Sequence, residues 1–173
     1  MRSTFPLVAL TALASASHAS VIVSSGSITV PGTWLFDFDA GVIGGDLVAP
    51  YDIFWEQFNP TQRAVMRVNF VTLAPMGVVD FASIGIAELL ALSYTSSGID
   101  GSDVGSVLVP GFVFAVHTDQ NNYAKVRITG PLVNTANHGL PIEWVTYVIP
   151  THATLIPLAA ATIVACRRRR IGT

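Results

Sequence analysis

Apolar and polar residues alternate with a period of two through the middle of the chain, and turn residues separate the alternating stretches. Such alternation is typical of strands with one buried face. Five stretches carry it: WLFDFDAG, AVMRVNFVT, GFVFAVH, YAKVRIT and PIEWVTYV. A sixth, VVDFASI at residues 78–84, is predicted as a further strand. Five polar residues lie between Phe112–His117 and residues 123–129, and they predict a β-hairpin.

Helical signals are scarce. Only YDIFWEQF and IAELLALSY have spacing compatible with a helix, and neither allows more than about two turns. The 14 glycines and 10 prolines are scattered, as connecting turns require. We therefore predict an all-β domain, an antiparallel β-sandwich or barrel of about six to eight strands.

The first 19 residues have the three parts of a secretory signal peptide. Arg2 precedes the apolar run FPLVALTALASA, and Ser17 and Ala19 place small residues where signal peptidase reads them. The run is too short to span a bilayer permanently. We predict export by the general secretory route, with cleavage after Ala19. A core strand or helix at the N-terminus is the alternative.

A second apolar run lies near the C-terminus, between Ala153 and Cys166. As a helix it would cover about 21 Å at 1.5 Å per residue, whereas the hydrocarbon core of a bilayer is about 30 Å thick. Four arginines follow it: Arg167, Arg168, Arg169 and Arg170. Four consecutive charges cannot enter a folded interior, and they would remain on the cytoplasmic side. The pattern predicts a short transmembrane or sorting helix, with a plain single-pass anchor as the alternative.

The segment VIPTHATLIPLAAA with its arginine cluster resembles the PEP-CTERM class of bacterial C-terminal sorting signals. The candidate sorting motif is Ile149, Pro150, Thr151 and His152, where Pro150 matches the first proline and Thr151-His152 replaces Glu-Pro. The resemblance implies that an exosortase-like transpeptidase cuts near this motif and removes the anchor. The chain is then divided into a signal peptide (1–19), an exported β-rich domain (20–148) and a sorting signal (149–173).

The predicted β domain is acidic. Residues 20–150 contain four basic residues and all eleven acidic ones, a formal net charge of −7 compared with −2 for the whole chain. An acidic domain repels phosphate backbones, so nucleic acid is excluded as a partner. Cations, or neutral ligands such as glycans, fit this charge better. The single cysteine, Cys166, belongs to the tail, so the domain has no internal disulfide.

Two small groups of residues in the domain are candidates for metal or cofactor binding. The loop GIDGSDVG places Asp100, Ser102 and Asp103 between glycines, and oxygen ligands on a tight loop suit Ca²⁺. An Asx-type turn is the alternative. His117 and His138 are the domain's two histidines, and they are candidate ligands for a metal or for haem. A hydrogen-bonded role at the surface is the alternative for each histidine.

The stretches VFAVHTDQNNYAKVRI and LPIEWVTY are similar to the closing strands of HmuY-like secreted β domains. Some members of that group bind haem through paired histidines. Neither His117 nor His138 aligns with those ligands, so the resemblance implies the fold alone.

Acidic and aromatic residues suggest two further surfaces. FDFD would place Asp37 and Asp39 on one strand face about 7 Å apart, a spacing between those of retaining and inverting glycosidases. Alternating acids are equally typical of a solvent-exposed face. Residues 51–58, YDIFWEQF, combine four aromatic side chains with two carboxylates, which indicates either a sugar-stacking surface or part of the core.

The motifs of common enzyme classes, such as G-x-S-x-G, H-E-x-x-H and the P-loop, are absent from the sequence. We therefore predict a non-enzymatic cell-surface or extracellular-matrix protein. Its expected partners are signal peptidase, an exosortase-like enzyme, the inner membrane in transit, and extracellular glycan or surface proteins. It would remain membrane-anchored until it is processed. The alternatives are a haem-like or glycan-binding surface module on a plain anchor, and a hydrolase that uses acidic residues.

Overall fold

A computed structural model describes residues 20–45, 50–132 and 138–149. The predicted signal peptide, the motif residues Pro150, Thr151 and His152, and the arginines 167–170 lie outside the described residues. Within the described ranges, no helix has the length and apolarity needed to cross a membrane.

The described chain forms two antiparallel sheets of five strands each. The strands are β1 (Val21–Val30), β2 (Trp34–Asp37), β3 (Val42–Gly44), β4 (Ile53–Gln57), β5 (Arg63–Arg67), β6 (Thr72–Val78), β7 (Ile99–Asp100), β8 (Phe112–His117), β9 (Tyr123–Ile128) and β10 (Leu140–Val148). Sheet A has the order β1-β10-β9-β8-β6, and sheet B has the order β3-β2-β4-β5-β7. The all-β antiparallel prediction is confirmed as a sandwich, with ten strands instead of six to eight.

The two sheets share one apolar core. Sheet B contributes side chains from alternate positions of β2 and β4, and sheet A contributes the alternate positions predicted for the three closing strands. The buried members include Phe36, Ile53, Trp55, Val65, Phe112, Phe114, Val116, Ala124, Val126, Ile128, Ile142 and Trp144. The predicted hairpin is also confirmed, because β8 and β9 pair with His117 opposite Tyr123.

A short connecting segment covers the outer face of sheet A. It contains a 3₁₀ turn (Phe81–Ser83) and one helix, α1 (Ile86–Leu90). Together with Val113 and Ala115 it forms a second apolar cluster. Lys125 crosses from β9 into this layer and donates to the carbonyl oxygens of Phe81 and Ile84 at 2.8 and 2.7 Å. Strand β8 is apolar at nearly every position because both of its faces are buried.

Three local predictions are wrong. Residues 78–84 do not form a strand of their own: Val78 ends β6, and the Asp80 carboxylate then accepts the Ala82 N–H and starts a 3₁₀ turn. YDIFWEQF is strand β4 and not a helix, whereas IAELLALSY does contain α1. The strand predicted in AVMRVNFVT ends at Arg67 and is buried in the opposite phase, with Val65 in the core and Phe70 93% exposed.

Candidate cation site

Three aspartates meet at the end of sheet B where β2 ends and β4 begins. Asp37 is the last residue of β2, Asp39 follows two residues later, and Asp52 immediately precedes β4. One carboxylate oxygen from each lies within 4.8 Å of one oxygen from each of the other two. Asp37 and Asp52 are only 4% and 0% exposed, and Asp39 is partly buried. We call these three residues, together with Asp119 described below, the carboxylate cluster.

A side-chain turn brings the first two carboxylates together. Asp37 Oδ1 accepts hydrogen bonds from the backbone N–H groups of Asp39 and Ala40, at 2.7 and 2.9 Å. This Asx turn ends strand β2. The predicted arrangement, with Asp37 and Asp39 about 7 Å apart on one strand face, is therefore wrong, because the strand stops before Asp39.

Asp52 connects the two sheets. Its Oδ2 accepts the backbone N–H of Phe38 at 2.7 Å, and its Oδ1 accepts the backbone N–H of Asp119 at 3.2 Å. Asp119 lies in the turn between β8 and β9, which belong to sheet A. From the same turn, Asn122 Nδ2 donates to Asp39 Oδ1 at 2.8 Å. The carboxylate cluster therefore lies where the two sheets meet.

Two carboxylate oxygens of the cluster are buried and have no hydrogen-bond partner among the described residues. They are Asp39 Oδ2 and Asp119 Oδ1. A buried polar atom without a partner is unfavourable by about 1–3 kcal/mol, and by more when it carries charge. The cluster therefore offers acceptor oxygens that no donor in the described part of the chain satisfies.

Burial and mutual repulsion make the cluster hard to ionise. Burial, together with the nearby Asp39 and Asp37 carboxylates, raises the pKa of Asp52 to about 8, against the two backbone hydrogen bonds that lower it. The pKa values of Asp39 and Asp119 are also raised, first by burial and then by neighbouring carboxylates. For Asp39, the hydrogen bond from Asn122 and the nearby Thr118 hydroxyl oppose this rise.

The basic residues of the described ranges make their contacts elsewhere. Arg63 pairs with Asp103, and Arg127 pairs with Glu143. Arg67 donates to the backbone carbonyls of Ser96 and Asn69, and Lys125 lies in the outer layer as described above. Among the described residues, none of these cations forms an ion pair or a hydrogen bond with the cluster, so its charge must be balanced by protons or by an external cation.

The geometry suits a calcium ion. Ca²⁺ binds six to eight oxygens at 2.3–2.6 Å, so two of its ligands lie at most about 5 Å apart. The three carboxylate oxygens already fall within that limit. Asp119 is the candidate for a fourth carboxylate, because its backbone N–H contacts Asp52 and its Oδ1 has no partner among the described residues.

The calcium loop predicted from the sequence has its carboxylates engaged within the protein. Asp100 Oδ1 accepts the Ser102 hydroxyl at 2.6 Å and the Ser102 backbone N–H at 3.1 Å, which forms an Asx turn. Asp103 accepts a hydrogen bond from the guanidinium of Arg63, whose side chain is fully buried. The structure brings Asp100 and Ser102 together but places an arginine against Asp103.

The two candidate histidines lie at opposite ends of sheet A. His117 is paired with Tyr123 at one end of β9, whereas His138 precedes β10, which pairs with the other end of β9 at Ile128. The five residue steps from Tyr123 to Ile128 correspond to roughly 16 Å. The histidines are therefore too far apart to be axial ligands of one haem.

Each histidine has its own local contacts. His117 Nε2 is 2.9 Å from Asn121 Oδ1, and its ring stacks on Tyr123 with the ring centres 4.6 Å apart. His138 Nδ1 is 3.1 Å from Arg63 Nη1. Both histidines thus have a polar partner within the protein, as in the alternative that assigns each of them a hydrogen-bonded role.

Sequence reasoning missed the central residue of the site, Asp52. It is separated from Asp39 by the β2–β4 connection, and from Asp119 by more than half of the domain. In the sequence it is one of the two carboxylates within the aromatic segment 51–58. In that segment Trp55 is buried in the core, and Phe58 is exposed. The only available signal was a lone acidic residue directly before an apolar strand.

Comparison with known proteins adds one structural neighbour. No family model and no curated protein matches this chain. Among solved structures, it is similar to the apo HmuY analog (TFO) of Tannerella forsythia, with 9% sequence identity and a TM-score of 0.48. The match covers 75% of this chain and 97% of that chain. At this identity and TM-score, the likeness supports no conclusion about what this chain binds.

Proposed function

We propose that this protein is an exported, non-enzymatic surface module whose β-sandwich binds a calcium ion at the carboxylate cluster. Asp37, Asp39 and Asp52 would be the primary ligands, with Asp119 as a fourth. The observation that carries the proposal is the close approach of three buried or partly buried carboxylates with no recorded basic partner among the described residues. Two unpartnered oxygens at the same junction support it.

Protons and calcium would compete for this site. With its pKa raised to about 8, Asp52 holds a proton at neutral pH when no cation is bound. A bound divalent ion stabilises the ionised carboxylates, and its binding releases that proton. Calcium affinity is therefore expected to rise with pH up to about 8.

An exported protein would meet calcium at suitable concentrations. Extracellular calcium modules have dissociation constants of about 10⁻⁴–10⁻³ M. We expect a value in this range, because only part of the coordination shell comes from carboxylates. The ion would hold the turn between β8 and β9 against sheet B, where Asp52 already accepts the Asp119 N–H.

The burial of the site supports a structural ion over catalysis. Asp52 is fully buried, and each of its oxygens already accepts a backbone N–H. Such a group cannot reach the glycosidic bond of a polymer without breaking the contacts that join the sheets. Asp37 is also buried, and its Oδ1 accepts two backbone N–H groups. We therefore favour a binding and structural role over a hydrolase that pairs Asp37 with Asp52.

Export and sorting form the second part of the proposal. The composition of residues 1–19 and the apolar run with its arginine cluster in residues 149–173 support them. Intact mass spectrometry of the protein from its native envelope and medium tests this part. A species that begins near Ser20 and ends near Pro150 or Thr151 is expected. A detergent-extracted species that retains Arg170 would instead indicate a plain anchor.

Calorimetric titration of the full chain, held in a mild detergent, tests the calcium site. Wild type is expected to bind one Ca²⁺ near pH 8, and Asp52→Asn is expected to abolish binding. Asp100→Asn is the matched control, because it removes a carboxylate from the loop that the sequence alone favoured. Loss of binding in Asp100→Asn with retention in Asp52→Asn would assign calcium to that loop and overturn the proposal.

A further inference from the structure

A cavity opens at the end of the sandwich opposite to the carboxylate cluster. It has a volume of about 510 Å³ and is lined by Pro31, Gly32, Trp34, Gln57 and His138. These residues come from the β1–β2 connection, the first residue of β2, the last residue of β4 and the segment before β10. Both sheets therefore contribute to its wall.

Trp34 provides an exposed aromatic surface at the mouth of this cavity. Its side chain is 42% exposed, although it lies two residues before the fully buried Phe36 on the same side of β2. Alternation in a strand places both side chains on one face. The indole therefore continues the apolar core outwards to solvent, where no described residue covers it completely.

Gln57 places an unsatisfied amide at the base of the cavity. Its Nε2 is buried and has no hydrogen-bond partner in the described part of the chain. The amide packs against Gly32, where a Cβ atom would lie only 2.4 Å from Nε2. An unsatisfied buried donor is unfavourable by about 1–3 kcal/mol. Because the terminal amide torsion of glutamine is broad, a small rotation would allow Nε2 to donate to a ligand in the cavity.

His138 adds a second donor with a defined proton position. Arg63 Nη1 lies 3.1 Å from His138 Nδ1. A guanidinium can only donate, so Nδ1 must accept, and the ring proton is on Nε2. Arg63 is itself held by Asp103, and the backbone oxygen of His138 accepts the Trp55 indole N–H at 2.7 Å. The imidazole is therefore held in place by its neighbours, and its Nε2–H has no hydrogen-bond partner among the described residues.

We propose that this cavity binds a neutral saccharide. The apolar C–H face of a sugar ring would stack on Trp34, and its hydroxyl groups would accept hydrogen bonds from Gln57 and His138. The cavity combines apolar and polar lining residues, and a few polar groups that fix the orientation of a ligand are typical of small-ligand sites. The net charge of −7 over residues 20–150 disfavours polyanionic glycans. The site is independent of the calcium proposal, because it lies at the other end of the sandwich.

Affinity electrophoresis of the full chain tests the proposal, with laminarin, xylan, galactomannan and soluble starch as probes. We expect at least one of these neutral polysaccharides to retard the protein. Trp34→Ala and Gln57→Leu are expected to weaken that retardation by about tenfold or more, which is about 1.4 kcal/mol. Phe70→Ala is the matched control, because Phe70 is a more exposed aromatic residue far from the cavity in sequence and fold. It should retain wild-type retardation.

A third variant separates loss of binding from loss of folding. Gly32→Ala adds a methyl group where the Gln57 amide lies and leaves the indole in place. It should also weaken retardation, and its thermal unfolding curve shows whether the fold is retained. Equal weakening by Phe70→Ala would indicate non-specific apolar contact and overturn the proposal. It is also overturned if none of the four polysaccharides retards the wild-type protein, or if Trp34→Ala binds as wild type does.

Discussion

The two ends of the sandwich differ in how buried charge is balanced. At one end, the fully buried guanidinium of Arg63 contacts Asp103, His138 and the carbonyl oxygen of Pro60. At the other end, the carboxylates of Asp37, Asp39 and Asp52 gather beside Asp119 with no recorded cation partner in the described ranges. The charge of Arg63 is balanced by another residue of the chain, whereas the charge of the carboxylate cluster is balanced by protons or ions from solution.

The difference shows that the ionisation of a carboxylate in this fold depends on whether it has a cationic partner, and not on burial alone. The carboxylate of Asp103 has an arginine partner, so the Arg63 end should have a stability that changes little with solution conditions. Burial without such a partner raises the pKa of Asp52 to about 8. The carboxylate cluster should therefore make folding sensitive to pH and to calcium.

The largest effect is expected from the pH dependence of Asp52. Its pKa is raised from 3.8 to about 8 on folding, so between these values the folded state holds a proton that the unfolded state has lost. The free energy of unfolding must then fall as pH rises from about 4 to about 8. At about 1.4 kcal/mol per pKa unit, the fall reaches roughly 4–5 kcal/mol in the absence of calcium.

Urea unfolding of the full chain at several pH values, with EDTA present, measures this slope. Asp52→Asn should remove most of it, because the amide does not titrate. Asp80→Asn is the control, since Asp80 lies on the exposed 3₁₀ turn and should leave the slope unchanged. Parallel curves for wild type and Asp52→Asn would show that Asp52 ionises normally in the folded protein.

A smaller loss of unfolding free energy is expected when the ion pair between Arg63 and Asp103 is disrupted. Arg63→Met removes the cation from Asp103 and the donor from His138, and loss of one partner of a buried pair typically costs about 3 kcal/mol or more. The lower figure applies because Asp103 is partly exposed. The loss in unfolding free energy should be the same with and without calcium. Arg67→Met, at an exposed residue, should change it by no more than about 0.5 kcal/mol. A loss in Arg63→Met that calcium repairs would contradict the distinction between the two ends.

The sequence predicted some strands of the sandwich correctly and missed or misplaced others. The faces of β8, β9 and β10 were predicted correctly because each strand has one side in the core between the sheets. Strand β1 was missed because its alternate positions carry Ser and Gly, which give little apolar signal. The phase of β5 was misread because Val68 and Phe70 belong to the turn that follows it, where Asn69 has a positive φ of 53°.

The sequence allows the prediction that the domain binds a cation, but it does not show which residues form the site. An acidic domain predicts an affinity for cations, and GIDGSDVG was the most compact acidic loop. Only the fold reveals that Arg63, forty residues away along the chain, forms an ion pair with Asp103. Asp52 and Asp119 meet through the packing of two sheets, and no local spacing encodes that meeting.

The most direct test of the central claim is the calcium affinity of the full chain, measured by calorimetry at pH 6 and at pH 8. If the carboxylate cluster is the site, protons and calcium compete, and binding should be at least about tenfold weaker at pH 6. Calcium at a hundred times its dissociation constant should then stabilise the fold by about 2.7 kcal/mol at pH 8. Equal affinities at the two pH values, or no binding at either, would contradict the account.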